Sequence, residues 1–453
     1  MSEPVPSDPA GFDAQPPRPT WGVRTPLRKS VSTREPILVA PAPARVCIPL
    51  VQGETPAARP LVAIGQAVRC GEPVGAPAEP GLPQVHATIA GRVTAIGPAL
   101  VAGAGGPVPC VHLEGTGGDE RWPGYTRIAA PEQLAPAALL EGIARAGITG
   151  LGGALYPTAR KLGMSAGAGV VLLNGVECEP YISCDDALLR ERADRVVAGA
   201  RLLVAALGAR QCVIAVKNGM AEARAALYHA LEAVADPRLA LSVVTARYPA
   251  GGERQLIELV LGREVPAGGH PADVGVVCQN VATAAALADF FARGQPLISR
   301  IVTVTGGGVA QPRNIEARIG TPIAELIALA GGYRGEPLRL VMGGPMMGIA
   351  LPDDGLPITA ATNCLIAATA LDLGMAPGGA LEPEFPCVRC GACVEACPAG
   401  LLPQELLAVA RAGDRAGLAA LDLGECIECG ACDYVCPSRI PLTSVFRRAK
   451  AAG

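Results

Sequence analysis

The chain has 453 residues, half of them hydrophobic, and 38 Lys and Arg against 41 Asp and Glu give a formal net charge of −3. That length corresponds to roughly three domains of about 150 residues each, and the absence of a basic excess or Lys/Arg cluster argues against a nucleic-acid partner. Mean hydropathy is +0.34, yet no run reaches the ~18 uninterrupted apolar residues of a membrane span; the most apolar, Val196 to Leu207, contains Arg201. The Pro-rich polar beginning is not a secretory signal, so the expected location is the cytoplasm, or a membrane surface reached through partners.

The fold class expected is multidomain α+β. Residues 1–44, as in SEPVPSDPAGFDAQPPRPT, read as a disordered or extended arm. Residues 45–115 carry short apolar runs broken by Gly and Pro, LVAIGQAVRCGEPVG and VHATIAGRVTAIG, the pattern of a small all-β unit. It resembles the barrel-sandwich hybrid of biotinyl and lipoyl domains, but the stretch APAEPGLPQVHA, where those carry a modified lysine, has none. From 125 to 295, the buried-strand runs VVLLNG, QCVIAVK and LSVVTA alternate with helical stretches, which indicates an α/β domain. Residues 296–351 read as strand, turn and helix, a small β-grasp unit of the SLBB type. A Gly/Pro-rich connector, 352–383, leads to a helical ferredoxin-type domain at 384–448.

Sixteen cysteines are present. Eight are dispersed (Cys47, Cys70, Cys110, Cys178, Cys184, Cys212, Cys278, Cys364) and read as small buried hydrophobes. The others form two runs, CVRCGACVEACP and CIECGACDYVCP, with identical C-x2-C-x2-C-x3-C-P spacing. Three closely spaced cysteines wrap one [4Fe–4S] cluster, and the fourth, before Pro, reaches the other cluster. The expected sets are therefore Cys387, Cys390, Cys393 and Cys436 for one cluster, and Cys426, Cys429, Cys432 and Cys397 for the second. Structural zinc is the alternative, but zinc ribbons use pairs of C-x2-C without the third cysteine.

Between Gly147 and Leu162 lies GITGLGGALYPTARKL, where Gly150, Gly152 and Gly153 let backbone N–H groups approach a phosphate or a flat ring. Taken alone this could be a plain turn. Lys161, one of only four lysines in the chain, suits a phosphate or an anionic ring. The strand end LLNGVECEPY then places Asn174, Glu177 and Glu179 where α/β folds bind ligands, though spacing alone also allows an ordinary polar turn.

The segments GLGGALYPTARKL, NGVECEPY and YPAGGERQLI resemble the flavin- and NADH-binding motifs of the flavoprotein subunit that admits NADH to respiratory complex I. The whole order of β unit, ECEPY, GTPIAELI, GGPMMG and two ferredoxin runs is similar to the C subunits of Rnf (Rsx) electron-transport complexes, over nearly everything after residue 20. The resemblance implies a peripheral subunit on the cytoplasmic side of the inner membrane that binds FMN, exchanges hydride with NAD(H), and passes electrons through its clusters to other membrane and iron–sulfur subunits and to ferredoxin. By matching positions, Gly150, Gly152, Lys161, Asn174, Glu177, Asn280 and Thr283 would line the FMN, with Gly153 and Gly251 in the same cofactor loops. Tyr156 would stack near the nicotinamide, and Glu179 and Glu253 would hold NAD(H). The sequence departs from the complex I pattern at Val176 and Gly252, both acidic there, and from the Rnf His-Pro at Arg24-Thr25-Pro26. A soluble flavo-iron–sulfur reductase, such as a cobalamin reductase, and a cluster-only electron-transfer adaptor are the alternative readings.

Overall fold

A computed structural model describes residues 19–375 and 383–452. The β unit packs a four-stranded antiparallel sheet (Arg45–Pro49, Val108–Gly115, Gly91–Ala99, Ala67–Val68) against a three-stranded one (Arg59–Pro60, Pro73–Ala76, Val85–His86). Alternate residues of Arg45–Pro49 and Gly91–Ala99 turn inward, so Val46, Ile48, Val93, Val111 and Leu113 fill the space between.

The α/β unit is built on a parallel sheet in the order Leu239–Val244, Gln211–Lys217, Val170–Gly175, Val276–Asn280. Strands covered on both faces read as unbroken apolar runs, and the two cores lie on opposite sides. Helices Ala193–Leu207 and Val281–Arg293 pack on one face, and helix Glu253–Leu261 on the other. Gly199 lets the first two helices touch, because a Cβ there would collide with the Ala284 carbonyl. Strand Val276–Asn280 was not expected from the sequence; its apolar part is only VVC before two polar residues.

The β-grasp unit is larger than the sequence suggested. Its six-stranded sheet runs Leu38–Val39, Arg313–Arg318, Ser299–Thr305, Cys364–Ala368, Arg339–Met342, Ile349–Leu351, with helix Ile323–Leu329 packed on it. The expected connector 352–383 thus supplies a central strand. The run CLIAA is wholly buried between two partners, and its Gly/Pro-rich flanks hid it. Residues 376–382 of that connector lie outside the described residues.

From residue 19 on, the N-terminal arm takes the extended of its two expected forms. It is an extended strap that touches every unit. Gly22 donates to the Ala396 carbonyl of the cysteine domain, Val23 bridges Tyr248, the Lys29 ammonium reaches Glu177, Leu38–Val39 pairs with Ile315–Glu316, and the Ala44 carbonyl accepts from Gly115. Such anchors are scattered singly, so they leave no periodicity to read. Residues 1–18 lie outside the described residues.

The C-terminal unit is helical, as the period of LLPQELLAVARAGDRAGLAALDL suggested. Helices Pro403–Ala412 and Leu442–Ala451 bury Leu406, Leu407, Leu442 and Phe446 beneath the cysteine runs. No helix among the described residues is long and apolar enough to cross a membrane.

Candidate flavin and iron–sulfur sites

In the α/β sheet the chain leaves Val170–Gly175 toward Gln211–Lys217 on one side and returns to Val276–Asn280 on the other. Strand order reverses between those two strands, and ligands bind at the carboxyl ends of strands flanking such a switch point. Asn174 and Asn280 stand opposite each other there. The Asn174 amide donates to the Gly251 carbonyl (2.8 Å), and its oxygen accepts from Val176 N–H. Asn280 caps helix Val281–Arg293 by accepting from Ala282 N–H, and its amide donates to Asp185. The glycine loop closes over them. Leu151 N–H donates to the Thr283 hydroxyl (2.9 Å), and Gly152 faces the Asn280 side chain. Gly153, at φ +118°, has nothing within 4 Å of where a Cβ would stand, so backbone is presented openly, as a phosphate or flat ring needs.

Beside this loop lies a cavity of about 590 Å³, within the roughly 300–1,000 Å³ range of small-molecule sites. Gly152, Gly153 and Leu155 form one wall, and Glu179, Gly344 and Met347 the other. The volume, the open glycine backbone and the nearby helix N-terminus fit a mononucleotide such as FMN. Glu179 accepts from the N–H groups of Met346 (3.2 Å) and Met347 (3.0 Å) in the GGPMMG segment. Burial pushes its carboxyl up to about 7, although those two donors work the other way.

The remaining expected residues divide. Lys161 and Glu253, read as serving different ligands, are ion-paired to each other at 2.5 Å and, like Gly150, Asn174, Gly251, Asn280 and Thr283, do not line the cavity, which of the expected residues takes only Gly152, Gly153 and Glu179. Tyr156 is 44% exposed, its hydroxyl against Met164. Glu177 turns inward at φ +44°, where its carboxylate accepts from Asp185 N–H (2.8 Å) and pairs with Lys29 (3.2 Å).

Lys29 and Lys217 escaped the sequence reading. Both ammonium groups donate to the Glu177 carbonyl, at 2.5 and 2.9 Å. Burial is the largest influence on Lys29 and works against its charge, but the Glu177 carboxylate and the hydrogen bonds around the ammonium together outweigh it and raise the pKa; Lys217 is pushed down to about 7 by burial and by the charge of Lys29. Asp185 is pushed up to about 7 by burial and by Glu177. Three of the four lysines in an arginine-using chain thus gather near this one sheet end, a signal the composition carried.

The cysteine runs fold as a pseudo-symmetric pair. Arg389 and Glu428, each just before a second cysteine, are left-handed (φ +54° and +56°), as are Gly391 and Gly430 and, after each Cys-Pro, Gly400 and Arg439. The turn aims Arg389 N–H at the Cys387 sulfur, 3.4 Å away. One small cavity is lined by Cys387, Cys390 and Cys393 of the first run together with Cys436 of the second. In the other group, burial pushes the Cys429 thiol up to about 11, and Cys397 and Cys426 are near enough to raise it further. Donor set and cavity fit two clusters with crossed fourth ligands. Among the described residues no three His, Cys, Asp or Glu side chains converge as a single metal ion would require.

The second run rests on the α/β unit. The Tyr248 hydroxyl donates to the Cys429 carbonyl (2.6 Å), and Val23, Tyr248, Ala396, Cys429 and Ala431 form one apolar cluster with Cys178 and Met346 against it. Arg254 pairs with Glu425 at 2.9 Å. Cys387 and Cys390 are exposed.

This combination defines a chain built to carry flavin and iron–sulfur clusters. The chain matches the RnfC barrel sandwich hybrid domain over residues 20–118, the Nuo51 FMN-binding domain over 143–289, the SLBB domain over 301–350 and a 4Fe-4S dicluster domain over 386–440. It is 45% identical over 433 residues to the C subunit of the ion-translocating oxidoreductase complex of Pseudomonas aeruginosa, covering 95% of this chain and 55% of that one. To the corresponding protein of Yersinia pestis strain Antiqua it is 41% identical over 432 residues, covering 95% and 68%. The chain belongs to the family of C subunits of ion-translocating oxidoreductase complexes, and it spans little more than half the length of the Pseudomonas relative. Its fold is also similar to a chain of an NAD+-reducing [NiFe]-hydrogenase in the H2-reduced state, at 20% identity and a TM-score of 0.48, over 71% of this chain and 62% of that one.

Proposed function

We propose that the chain is a peripheral subunit of a membrane-bound, ion-translocating complex of the Rnf type, at the cytoplasmic face of the inner membrane, exchanging electrons between NAD(H) and ferredoxin. The glycine loop Gly150–Gly153, Asn174, Gly251, Asn280 and Thr283 would hold the FMN, with the Glu177–Lys29–Lys217 cluster fixing the floor beneath. Glu179, Glu253, Lys161 and Tyr156 would form the NAD(H) side. Cys387, Cys390, Cys393 and Cys436 would hold one [4Fe–4S] cluster, and Cys426, Cys429, Cys432 and Cys397 the other. When bound, these groups convert between a two-electron hydride donor and one-electron carriers. The protein's own part is placement. Tyr248 and Met346 seat the second cysteine run against the flavin unit, while the first run stays open to a partner.

The observation that carries this reading is the cavity bounded by three thiols of one run and one of the other, which is the crossed arrangement of two-cluster ferredoxins. Cysteine-to-alanine pairs test it, read by iron content after anaerobic reconstitution and by electron paramagnetic resonance. Cys436→Ala should lower iron from about eight to about four per chain, and adding Cys387→Ala should lower it no further. Adding Cys397→Ala instead should remove both clusters. If Cys436→Ala and Cys426→Ala behave as one set, the crossed assignment fails.

A further inference from the structure

A second, larger groove lies away from the flavin cavity, on the β-grasp unit. It has a volume of about 760 Å³ and is walled by the strap (Arg28, Arg34), the loop after strand Ser299–Thr305 (Arg313), Arg334, and the turn after Cys364–Ala368. Four guanidinium groups therefore line one groove in a chain whose acids outnumber its bases. Among the described residues none of the four enters an ion pair. Arg28 lies over the Tyr181 ring and Arg334 donates to the Ala310 carbonyl.

Two acids share the groove. Asp372 is already committed, its carboxylate accepting from the Tyr181 hydroxyl (2.7 Å), Gly307 N–H (2.8 Å) and the N–H and hydroxyl of Thr369 (2.9 and 2.8 Å). Against four guanidiniums, Glu35 and Asp372 still leave two positive charges in excess. Two polar atoms beside the groove are also buried without a partner: the hydroxyl of Thr305, a residue with no exposed surface, and Nε of Arg313. Buried polar groups are nearly always satisfied, and an exception points to a missing partner. Val31 and Leu371, 40% and 73% exposed, add an apolar wall.

We propose that this groove binds a ligand carrying at least two phosphate charges. Guanidinium forks match phosphate oxygens two at a time, and phosphate groups concentrate charge and acceptor oxygens in such a volume better than scattered carboxylates. The apolar wall would contact whatever the phosphates are attached to. Soluble polyphosphates and phospholipid headgroups share this chemistry, and neither is the substrate of the dinucleotide site.

The test uses the full chain reconstituted with FMN and iron, kept in saturating NAD+ so that the dinucleotide site is filled. Titration calorimetry with tripolyphosphate reads a soluble ligand. Co-sedimentation with phosphatidylcholine vesicles, with and without cardiolipin, reads a lipid source. One saturable site for tripolyphosphate, or cardiolipin-dependent sedimentation, is expected, weakened roughly tenfold or more by the double variant Arg34→Gln/Arg334→Gln. Both residues are exposed, and NADH–ferricyanide activity of the variant should equal the parent's. Absence of saturable binding to either probe, or binding that the double variant leaves unchanged, overturns the proposal.

Discussion

Replacing Glu179 by Gln isolates one buried carboxyl and gives a pH dependence whose sign is fixed in advance. Burial raises its pKa from the ordinary 4.5 to about 7, so the folded protein holds this proton more tightly than the unfolded chain does. The stabilisation linked to that proton is fully present below pH 4.5 and is lost as pH rises through about 7. Across the whole window the shift is worth about 3 kcal/mol, and between about pH 5.5 and about pH 8 it amounts to about 2 kcal/mol. Gln keeps the shape and an acceptor for Met346 or Met347 but does not titrate. Urea unfolding of parent and variant at those two pH values gives a double difference in which all other titrating groups cancel. The parent should lose about 2 kcal/mol more than the variant on going to the higher pH. If the two lose stability in parallel, the Met346 and Met347 donors hold the carboxylate ionised throughout, and burial is not the dominant influence. The same variant should raise the apparent NADH constant by about 10-fold or more if the carboxylate also accepts from ribose hydroxyls.

Lys29→Met should destabilise the α/β unit by about 3–5 kcal/mol, the cost of leaving a buried carboxylate without its partner; the double variant with Glu177→Gln should recover part of that loss in urea midpoints, and a simple sum of the two single effects would refute the pairing. Tyr248→Phe removes a 2.6 Å donor from the Cys429 carbonyl and should lower the potential of the second-run cluster by up to about 40 mV, the equivalent of about 1 kcal/mol in a one-electron couple; a redox titration followed by electron paramagnetic resonance that shows no shift, or a shift in the other cluster, would contradict it. Gly430→Ala should weaken the seat of the second run, because φ is +73° and the Met346 carbonyl lies 3.1 Å from the new Cβ; Gly391→Ala shares only the backbone strain, so its loss on thermal unfolding should be the smaller.

How much of this could be read beforehand depended on whether the information was local. The two-cluster domain was legible because two cysteine runs at identical spacing admit little else, and the proposed crossing of Cys436 starts from the Cys-Pro step, with Cys436 lining one cavity with Cys387, Cys390 and Cys393. The strands VVLLNG and QCVIAVK were legible because a doubly covered parallel strand writes an unbroken apolar run, and LSVVTA, half-buried at the sheet edge, because its run stays mostly apolar. Strand Val276–Asn280 was not, since Gln279 and Asn280 break the run where it reaches the ligand edge. Strand Cys364–Ala368 was masked by its Gly/Pro-rich neighbours, and its burial is decided by partners 61 and 25 residues earlier, Thr303↔Cys364 and Val341↔Ile366. Lys29 could be placed at the site only by knowing that the strap returns 148 residues along the chain to Glu177.

That strap also ties the flavin unit to the second cysteine run. Residues 19–44 are held by single anchors on four units, and each anchor fixes one unit relative to the next. Lys29 sets the inward turn of Glu177, two residues before Glu179. Glu179 grips Met346 and Met347, and the Met346 carbonyl abuts Gly430 between the second-run cysteines. Val23 and Tyr248 meet from the other side, and Tyr248 reaches Cys429. The strap thus reaches the edge of the flavin cavity through Lys29 and Glu177 and the seat of the second run through Val23 and Tyr248, while Glu179 and Met346 link the two directly. A deletion ending at residue 35 should therefore do more than lower stability. It should loosen the second run selectively, so that iron at the second run is lost to a chelator before iron at the first run. Equal loss from both runs would mean that the cysteine domain holds itself together and the strap only tethers it.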